Sequence, residues 1–293
     1  ELLLEGLTVL QGVAQSLDRH LCSVFENGVL DHGVGGAHQL ARSLIDSGRL
    51  GRITSGTCHV MSHGMEHWHP NPDFFFQPGG GPVLDLGPYY LANLVQLAGP
   101  VRQVAALASI PAPERTISSQ PRFGQKIKVG TPTTIHALLE FENGAVVTFN
   151  SSWDVWSHGH APMELYGEEG TLFLPDPNFF GGEVRLTRRE EAASLPADWS
   201  HPFEVPNQDH GGRMLANYRT VGLSDMAMAI LSDRAHRCSG ELALHVVDIM
   251  TGILRSGETG RFEAMRTTCE RPAALSAAEA RELALPSAES KVA

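Results

Sequence analysis

Apolar residues recur at three- and four-residue spacing over 7–20, LTVLQGVAQSLDRH, and again over 36–51, GAHQLARSLIDSGRLG, where Gly48 and Gly51 close the pattern. LCSVF at 21–25 reads as a strand between them, so the chain is expected to open with a helix, a strand and a helix. ITSGTCHVMS predicts a further strand, followed by a loop rich in Pro, His and Gly from His63 to Gly81. Pro82 is expected to start one helix over 82–98, since a missing N–H costs nothing in the first turn, and Gly99-Pro100 ends it. The period then changes to two. IHALLEFENGAVVTFNSSW, 135–153, predicts two strands around a turn at Asn143-Gly144, and MELYGEEGTLFLPD repeats the pattern across a glycine-bounded turn. Two helices follow, SDMAMAILSDR with Ser224 as its N-cap and GELALHVVDIMTGILRSG. Met226, Met228, Leu231, His245 and Met250 are expected in the core. The tail from Pro272, rich in Ala, Glu and Ser, is expected to fray. Together these elements predict an α/β chain of the α+β kind: a predominantly antiparallel open sheet with helices on one face, preceded by a short helix–strand–helix lead.

Composition narrows the partners. Lys and Arg number 22 against 33 Asp and Glu, a net charge of −11, which opposes binding to nucleic acid and to anionic membranes. No apolar run approaches the ~20 residues of a membrane span. Cys22, Cys58, Cys238 and Cys269 are far apart without C-x-x-C spacing, so reduced thiols are expected rather than a zinc knuckle or a disulfide scaffold. No signal sequence opens the chain, so the expected location is cytoplasmic, although a first residue Glu1 rather than Met leaves an upstream portion as an expectation.

Candidate chemistry concentrates in three stretches. In PGGGPVLDLGPYY, Asp85 and Tyr89 are four residues apart and on a continuous helix would share a face, a carboxylate beside a phenol. Alternatively Asp85 caps early amides and Tyr89 packs at the surface. His67 and His69 in EHWHP, and His158 and His160 in SHGH, each project to one side of an extended chain. They either contact a hydroxyl-rich ligand or, as the alternative metal set His67, His69, His158 and His160 with His59, His63, Glu66 and Asp154 nearby, hold a divalent cation. Trp68, Trp153 and Trp156 either stack on a polyol or fill core. Arg213, with Tyr218 and Arg219 close in sequence, can orient a carboxylate or hydroxyl. HGVGGAHQ at 32–39 is the nearest approach to a dinucleotide turn, but His38 stands where the third glycine belongs, and neither it nor PGGGPVLDLG completes the fingerprint.

LIDSGRLGRI, HWHPNPDFFFQPGGGPVLDLGPYYLANLVQLAGPV, ELYGEEGTLFLPDPNFFGG, SDMAMAI and HRCSGELALHVVDIM resemble, in that order, successive blocks of the glucose-fructose oxidoreductase, inositol dehydrogenase and rhizopine catabolism (Gfo/Idh/MocA) family. The resemblance runs from about residue 1 to 272. It implies two domains, an N-terminal Rossmann unit for NAD or NADP and a C-terminal α/β domain whose sheet makes a substrate wall and often a dimer face. The chain is then expected to divide into a 1–50 lead at the junction to a Rossmann domain absent from this sequence, a 51–272 substrate and dimerisation domain and a 273–293 flexible tail. The family's E-K-P stretch would fall on Glu1, Leu2 and Leu3, with leucine in place of the acting lysine. Its D-x-x-x-H pair would be Asp85 and Tyr89, with tyrosine replacing the proton-relaying histidine; a phenol donates or orients but is a poor base at neutral pH.

The implied function is oxidation or reduction of a sugar, inositol or related polyol with NAD or NADP, the complete nucleotide site lying outside the chain or on a separate nucleotide-binding polypeptide. Asp85 and Tyr89 are the catalytic candidates, and His67, Trp68, His69, Trp153, Asp154, Trp156, His158 and Arg213 the substrate contacts. Two alternatives stand beside it: a cofactor-free or divalent-metal epimerase, isomerase or lyase on the same domain, and a non-catalytic sugar-binding subunit. A homodimer or higher homo-oligomer is implied.

Overall fold

Turn chemistry and alternation at 134–152 produce the expected hairpin. In the computed structural model, which describes residues 33–188 and 199–284, β5 (Thr134–Phe141) and β6 (Val146–Ser152) are antiparallel partners with Ala137 opposite Phe149. Gly144 takes a φ of 84°, open to glycine at no steric cost. The Asn143 side chain accepts the Ala145 N–H at 2.9 Å and donates to the Ala98 carbonyl at 2.9 Å, pinning the hairpin to the end of a helix.

The remaining strands are β1 (Ile53–Met61), β2 (Val101–Ser109), β3 (Glu114–Thr116), β4 (Lys126–Lys128), β7 (Met163–Gly167), β8 (Gly170–Leu174), β9 (Arg185–Arg188), β10 (Gln208–His210), β11 (Arg213–Leu215) and β12 (Glu263–Ala264). Eight of them form one sheet in the order β12-β2-β5-β6-β1-β7-β8-β9. Its neighbours pair antiparallel except β1 and β6, where Thr57 lies beside Thr148 in a parallel pair. Short β3–β4 and β10–β11 hairpins stand apart from it.

Among the described residues the α-helices are α1 (Gly36–Asp46), α2 (Pro82–Asp85), α3 (Gly87–Ala98), α4 (Val221–Leu231), α5 (Gly240–Thr259) and α6 (Ala277–Ala284). The inward residues of the central strands, among them Ile135, Leu139, Val147 and Phe149, share a core with Leu91 and Leu94 of α3 and Val246 and Ile249 of α5. Gly257 brings α5 against β2, since a Cβ there would meet that of Ala108 at 2.7 Å. The opposite face of the sheet carries Leu107 at 75% exposure and Leu138 at 46%. Helices therefore cover one face, as the alternation predicts. The helix and strand expected over 7–25 lie outside the described residues. Within them, Ala37, Leu40 and Leu44 of α1 belong to the main core, and buried His38 donates from Nε2 to the Phe179 carbonyl at 2.9 Å while Asn93 Nδ2 lies 3.1 Å from Nδ1.

Four expectations are corrected. The segment 82–98 is two helices that meet at Leu86, because Pro88 has no N–H for the carbonyl four residues back and its ring starts a new first turn. Helix α4 begins three residues before Ser224, which lies inside the first turn with its hydroxyl 3.4 Å from the Thr220 carbonyl and caps nothing. Met228 and Leu231 are exposed on that helix, whereas His245 and Met250 are buried as expected. The tail does not fray at 272: Arg237 holds the carbonyls of Ala273 and Ala274 and pairs with Glu279 at 2.8 Å, and Ala280 is buried. Arg237 is itself fixed by buried Asp225 at 2.6 Å.

The glycines of 79–81 are a packing device. Gly79 and Gly81 have φ of 92° and 94°, and a Cβ on Gly80 would lie 2.6 Å from the carbonyl oxygens of both Phe74 and Phe75. Gly80→Ala is expected to destabilise the chain by about 1–3 kcal/mol, since backbone rather than a mobile side chain must give way. Equilibrium urea unfolding checks this, and an unchanged midpoint would refute it.

Candidate functional site

The glycine turn delivers Asp85 to the end of α2, its amide bonded to the Gly81 carbonyl at 3.1 Å. Burial pushes the Asp85 carboxyl up to about 6. Tyr89 follows on the next helix. Its hydroxyl accepts a hydrogen bond from Arg219 Nη1 at 3.1 Å, and the guanidinium carbon lies 5.4 Å from the centre of its ring. Arg219 in turn donates to Asn178 Oδ1 at 2.8 Å, and the Asn178 amide donates to Asp176 Oδ1 at 2.9 Å, which also accepts the Tyr90 hydroxyl at 2.8 Å. Burial raises the Asp176 carboxyl. Of this chain of contacts the sequence supplied Tyr89, and it named Arg219 only as a neighbour of Arg213. Arg213 sits on exposed β11, away from this chain of contacts. Asp176 and Asn178 were missed, and their one signal was the polar DPN turn after β8.

A second cluster lies at the carboxyl ends of β1 and β6. Arg115 of β3 is buried between two carboxylates, Glu66 at 2.7 Å and Asp154, and also donates to the carbonyls of His63 and Trp153 at 3.1 and 3.0 Å. Thr133 and Thr134 donate to Asp154 Oδ2 at 2.8 and 2.6 Å. These residues border an open cavity of about 320 Å³ lined by His63, Glu66, Arg115, Thr116, Asp154 and Trp156. The imidazole of His63 stacks on Trp156, ring centres 3.3 Å apart, while Trp156 stays 82% exposed. The EHWHP loop and the WDVWSHGH segment therefore meet, but Asp85 and Tyr89 do not line the space they enclose.

The other sequence candidates separate. His67 lies 6.1 Å from His63. His69 packs among Trp68, Phe74 and Phe75 and accepts the Asn71 amide, and Trp68 is 57% exposed. His158 and His160 join His59 instead, with His160 stacked on His59 at 4.1 Å. Burial, then the neighbouring histidines, lower the His59 imidazole to about 4. Trp153 has no exposed surface and packs edge-on to Phe75 and Phe76, so it fills core rather than meeting a ligand. The alternative metal set His67, His69, His158 and His160 is not assembled; among the described residues no group of three or more His, Cys, Asp or Glu side chains is placed to hold a metal ion.

A dinucleotide does not fit the glycines at 33–36. The Ala37 N–H at the start of α1 is taken by the Phe180 carbonyl at 3.1 Å, and a Cβ on Gly35 would lie 2.6 Å from Phe180 Cα. Protein backbone occupies the place where a pyrophosphate would approach a helix N-terminus. Among the described residues no helix is long and apolar enough to cross a membrane.

The architecture is an open, mostly antiparallel sheet with helices on one face and a glycine turn leading to Asp85, and known proteins share it. Residues 38–173 match the GFO/IDH/MocA C-terminal domain. Solved structures of similar fold include an NAD binding oxidoreductase from Klebsiella pneumoniae, 20% identical with a TM-score of 0.63, covering 80% of this chain and 65% of that one. Levoglucosan dehydrogenase in complex with NADH and levoglucosan is 18% identical with a TM-score of 0.63, covering 81% and 65%. Aldose-aldose oxidoreductase from Caulobacter crescentus complexed with glycerol is 22% identical with a TM-score of 0.57, covering 80% and 62%. The chain thus aligns with less than two thirds of the length of these relatives. A search of curated proteins gave no match.

Proposed function

We propose that this chain is the substrate-binding part of a Gfo/Idh/MocA-type oxidoreductase acting on a sugar, inositol or related polyol, with Asp85 and Tyr89 exchanging a proton with a substrate hydroxyl. The observation that carries the reading is the placement of Asp85 at the end of the short helix led in by Gly81, and desolvation there raises its carboxyl to about 6, in the range where a group both takes and returns protons. Tyr89, whose hydroxyl accepts a hydrogen bond from Arg219, stands in for the family's histidine as donor or orienting group. The names of similar structures support the substrate class, one holding levoglucosan and another an aldose-aldose oxidoreductase.

NAD or NADP is the cofactor of this reading. The turn at 33–36 is closed to it by the Phe180 backbone, and on this reading it is held by chain outside the described residues or by a second polypeptide. The substrate domain is taken as 51–272, with α1 and α6 packed against it, and a second copy covers the exposed sheet face around Leu107 and Leu138. The location proposed is the cytoplasm. Residues 1–293 alone are expected to show no saturable micromolar binding of NADH by nicotinamide fluorescence. The full natural protein is expected to reduce NAD or NADP with a member of a sugar and polyol panel. No turnover with either nucleotide across the panel would sink the reading.

A further inference from the structure

We propose that the cavity between the 63–69 loop, β3 and the 154–156 segment is a binding subsite for one neutral sugar ring, set apart from the group around Asp85. The substrate class rests on the reading above; the location and the charge preference rest on the cavity alone.

Size sets the first limit. About 320 Å³ is at the lower end of ligand pockets and holds a single ring rather than a nucleotide. The lining sets the second. An indole that is 82% exposed and backed by a stacked imidazole offers a flat apolar face to the C–H side of a ring. Beside it stand two carboxylates; Asp154 already accepts from Arg115, Thr133 and Thr134 and Glu66 Oε1 from Arg115, which leaves one acceptor, Glu66 Oε2, for a ligand hydroxyl. Glu66 Oε2 is buried without a hydrogen-bond partner. Gly64, at φ 103°, gives this carboxylate its room, since a Cβ there would lie 2.5 Å from Oε2. A buried acceptor of this kind, at the wall of an open cavity, is satisfied when a ligand hydroxyl reaches it.

Charge sets the third limit. The Nη atoms of Arg115 are already engaged by Glu66, Asp154 and two backbone carbonyls, and no lysine or second arginine lines the space. Two carboxylates against one committed guanidinium repel an acidic ligand, so uronic and aldonic acids are excluded while neutral sugars and cyclitols are accepted. Because Asp85 and Tyr89 are not at its wall, a ring seated here is the part of the substrate that does not react.

The test is calorimetric titration of residues 1–293 with D-glucose, D-galactose, D-xylose, myo-inositol and D-glucuronate, on wild type, Trp156→Ala, Asp154→Asn and Asp85→Asn. Trp156 is exposed, so its replacement leaves the fold intact by circular dichroism and any effect reads on binding. At least one neutral compound is expected to bind, with affinity reduced about tenfold or more by Trp156→Ala and by Asp154→Asn, unchanged within about twofold by Asp85→Asn, and with glucuronate at least about tenfold weaker. Binding of glucuronate as tight as glucose, unchanged affinity in Trp156→Ala, an equal loss in Asp85→Asn, or no binding by any neutral compound overturns the proposal. The two readings fail separately. Loss of binding in Trp156→Ala, with full turnover of Asp85→Asn measured in the full natural protein, keeps the subsite and removes the catalytic assignment. The reverse pattern removes the subsite alone.

Discussion

Asp85→Asn in the full natural protein is expected to lower turnover about 10²–10⁴-fold, the range lost when a positioned proton-transfer group is removed, while making the folded chain more stable above neutral pH. The sign follows from the direction of the shift. In the unfolded chain the carboxyl titrates at its ordinary 3.8, and in the folded chain at about 6. A group whose folded value is raised contributes its full stability below the unfolded value, and that contribution is lost as pH rises through the folded one. Above pH of about 6 the ionised Asp85 therefore opposes folding by on the order of 3 kcal/mol as an upper bound. Asparagine keeps nearly the same volume and never ionises. Unfolding midpoints of wild type and variant should converge near pH 4 and separate by pH 8, with the variant the more stable. Turnover within twofold of wild type would remove Asp85 from the chemistry, and parallel midpoints across that range would refute the burial argument. Loss of function with gain of stability is the pattern of a site that holds a group in an unfavourable state for use.

Arg115→Met carries the largest expected loss of stability. The guanidinium bridges Glu66 and Asp154 and lies 5.2 Å from the centre of the Phe76 ring, all in the layer under the cavity. Methionine keeps the packing volume but leaves the largely buried carboxylates of Glu66 and Asp154 without the guanidinium they share. Removing one partner from a buried ion pair costs about 3–5 kcal/mol, because the charge left behind is uncompensated. Adding Glu66→Gln should recover a substantial part of that loss, with a coupling of at least about 1 kcal/mol in a double-mutant cycle. Urea midpoints for the two single variants and the double variant provide the measurement. Additive losses would show that the pair does not act as a unit.

Local signals carried much of this architecture. Asn143-Gly144 between alternating runs specified the β5–β6 hairpin, and the three- and four-residue spacing of 240–257 specified α5, with Ser239 supplying a cap by accepting the Leu242 amide at 3.2 Å. Where two local rules competed, the reading failed. Pro82 and Pro88 each mark a helix start, and treating only the first as one merged α2 with α3. The tail was judged by composition, which does not reveal that Arg237, thirty-odd residues earlier, binds its carbonyls.

The candidate sites divide along the same line. Asp85 and Tyr89 are proposed from their spacing beside a glycine turn, and of the residues named for their density of His and Trp, Asp154 and Trp156 border the cavity while His67 does not. Arg115, which organises the cavity, was not legible, because it lies in a short hairpin some fifty residues from Glu66 and forty from Asp154, and only tertiary structure brings them together. Trp153 and Trp156 are three residues apart, one without exposed surface and the other almost free of the protein, a difference that no composition argument separates.

The parallel register of β1 with β6 bears on synthesis. Thr57 waits for Thr148, about ninety residues later, and β7 on its other side is made later still. As the chain leaves the ribosome at ~5–20 residues per second, the β2–β5 and β5–β6 pairs can close as soon as their second strand emerges, while β1 remains a bare strand with both edges unpaired. Its pairing with β6 and β7 comes only after those strands emerge, and Cys58 and Val60, buried in the finished sheet, spend that interval without their covering strands.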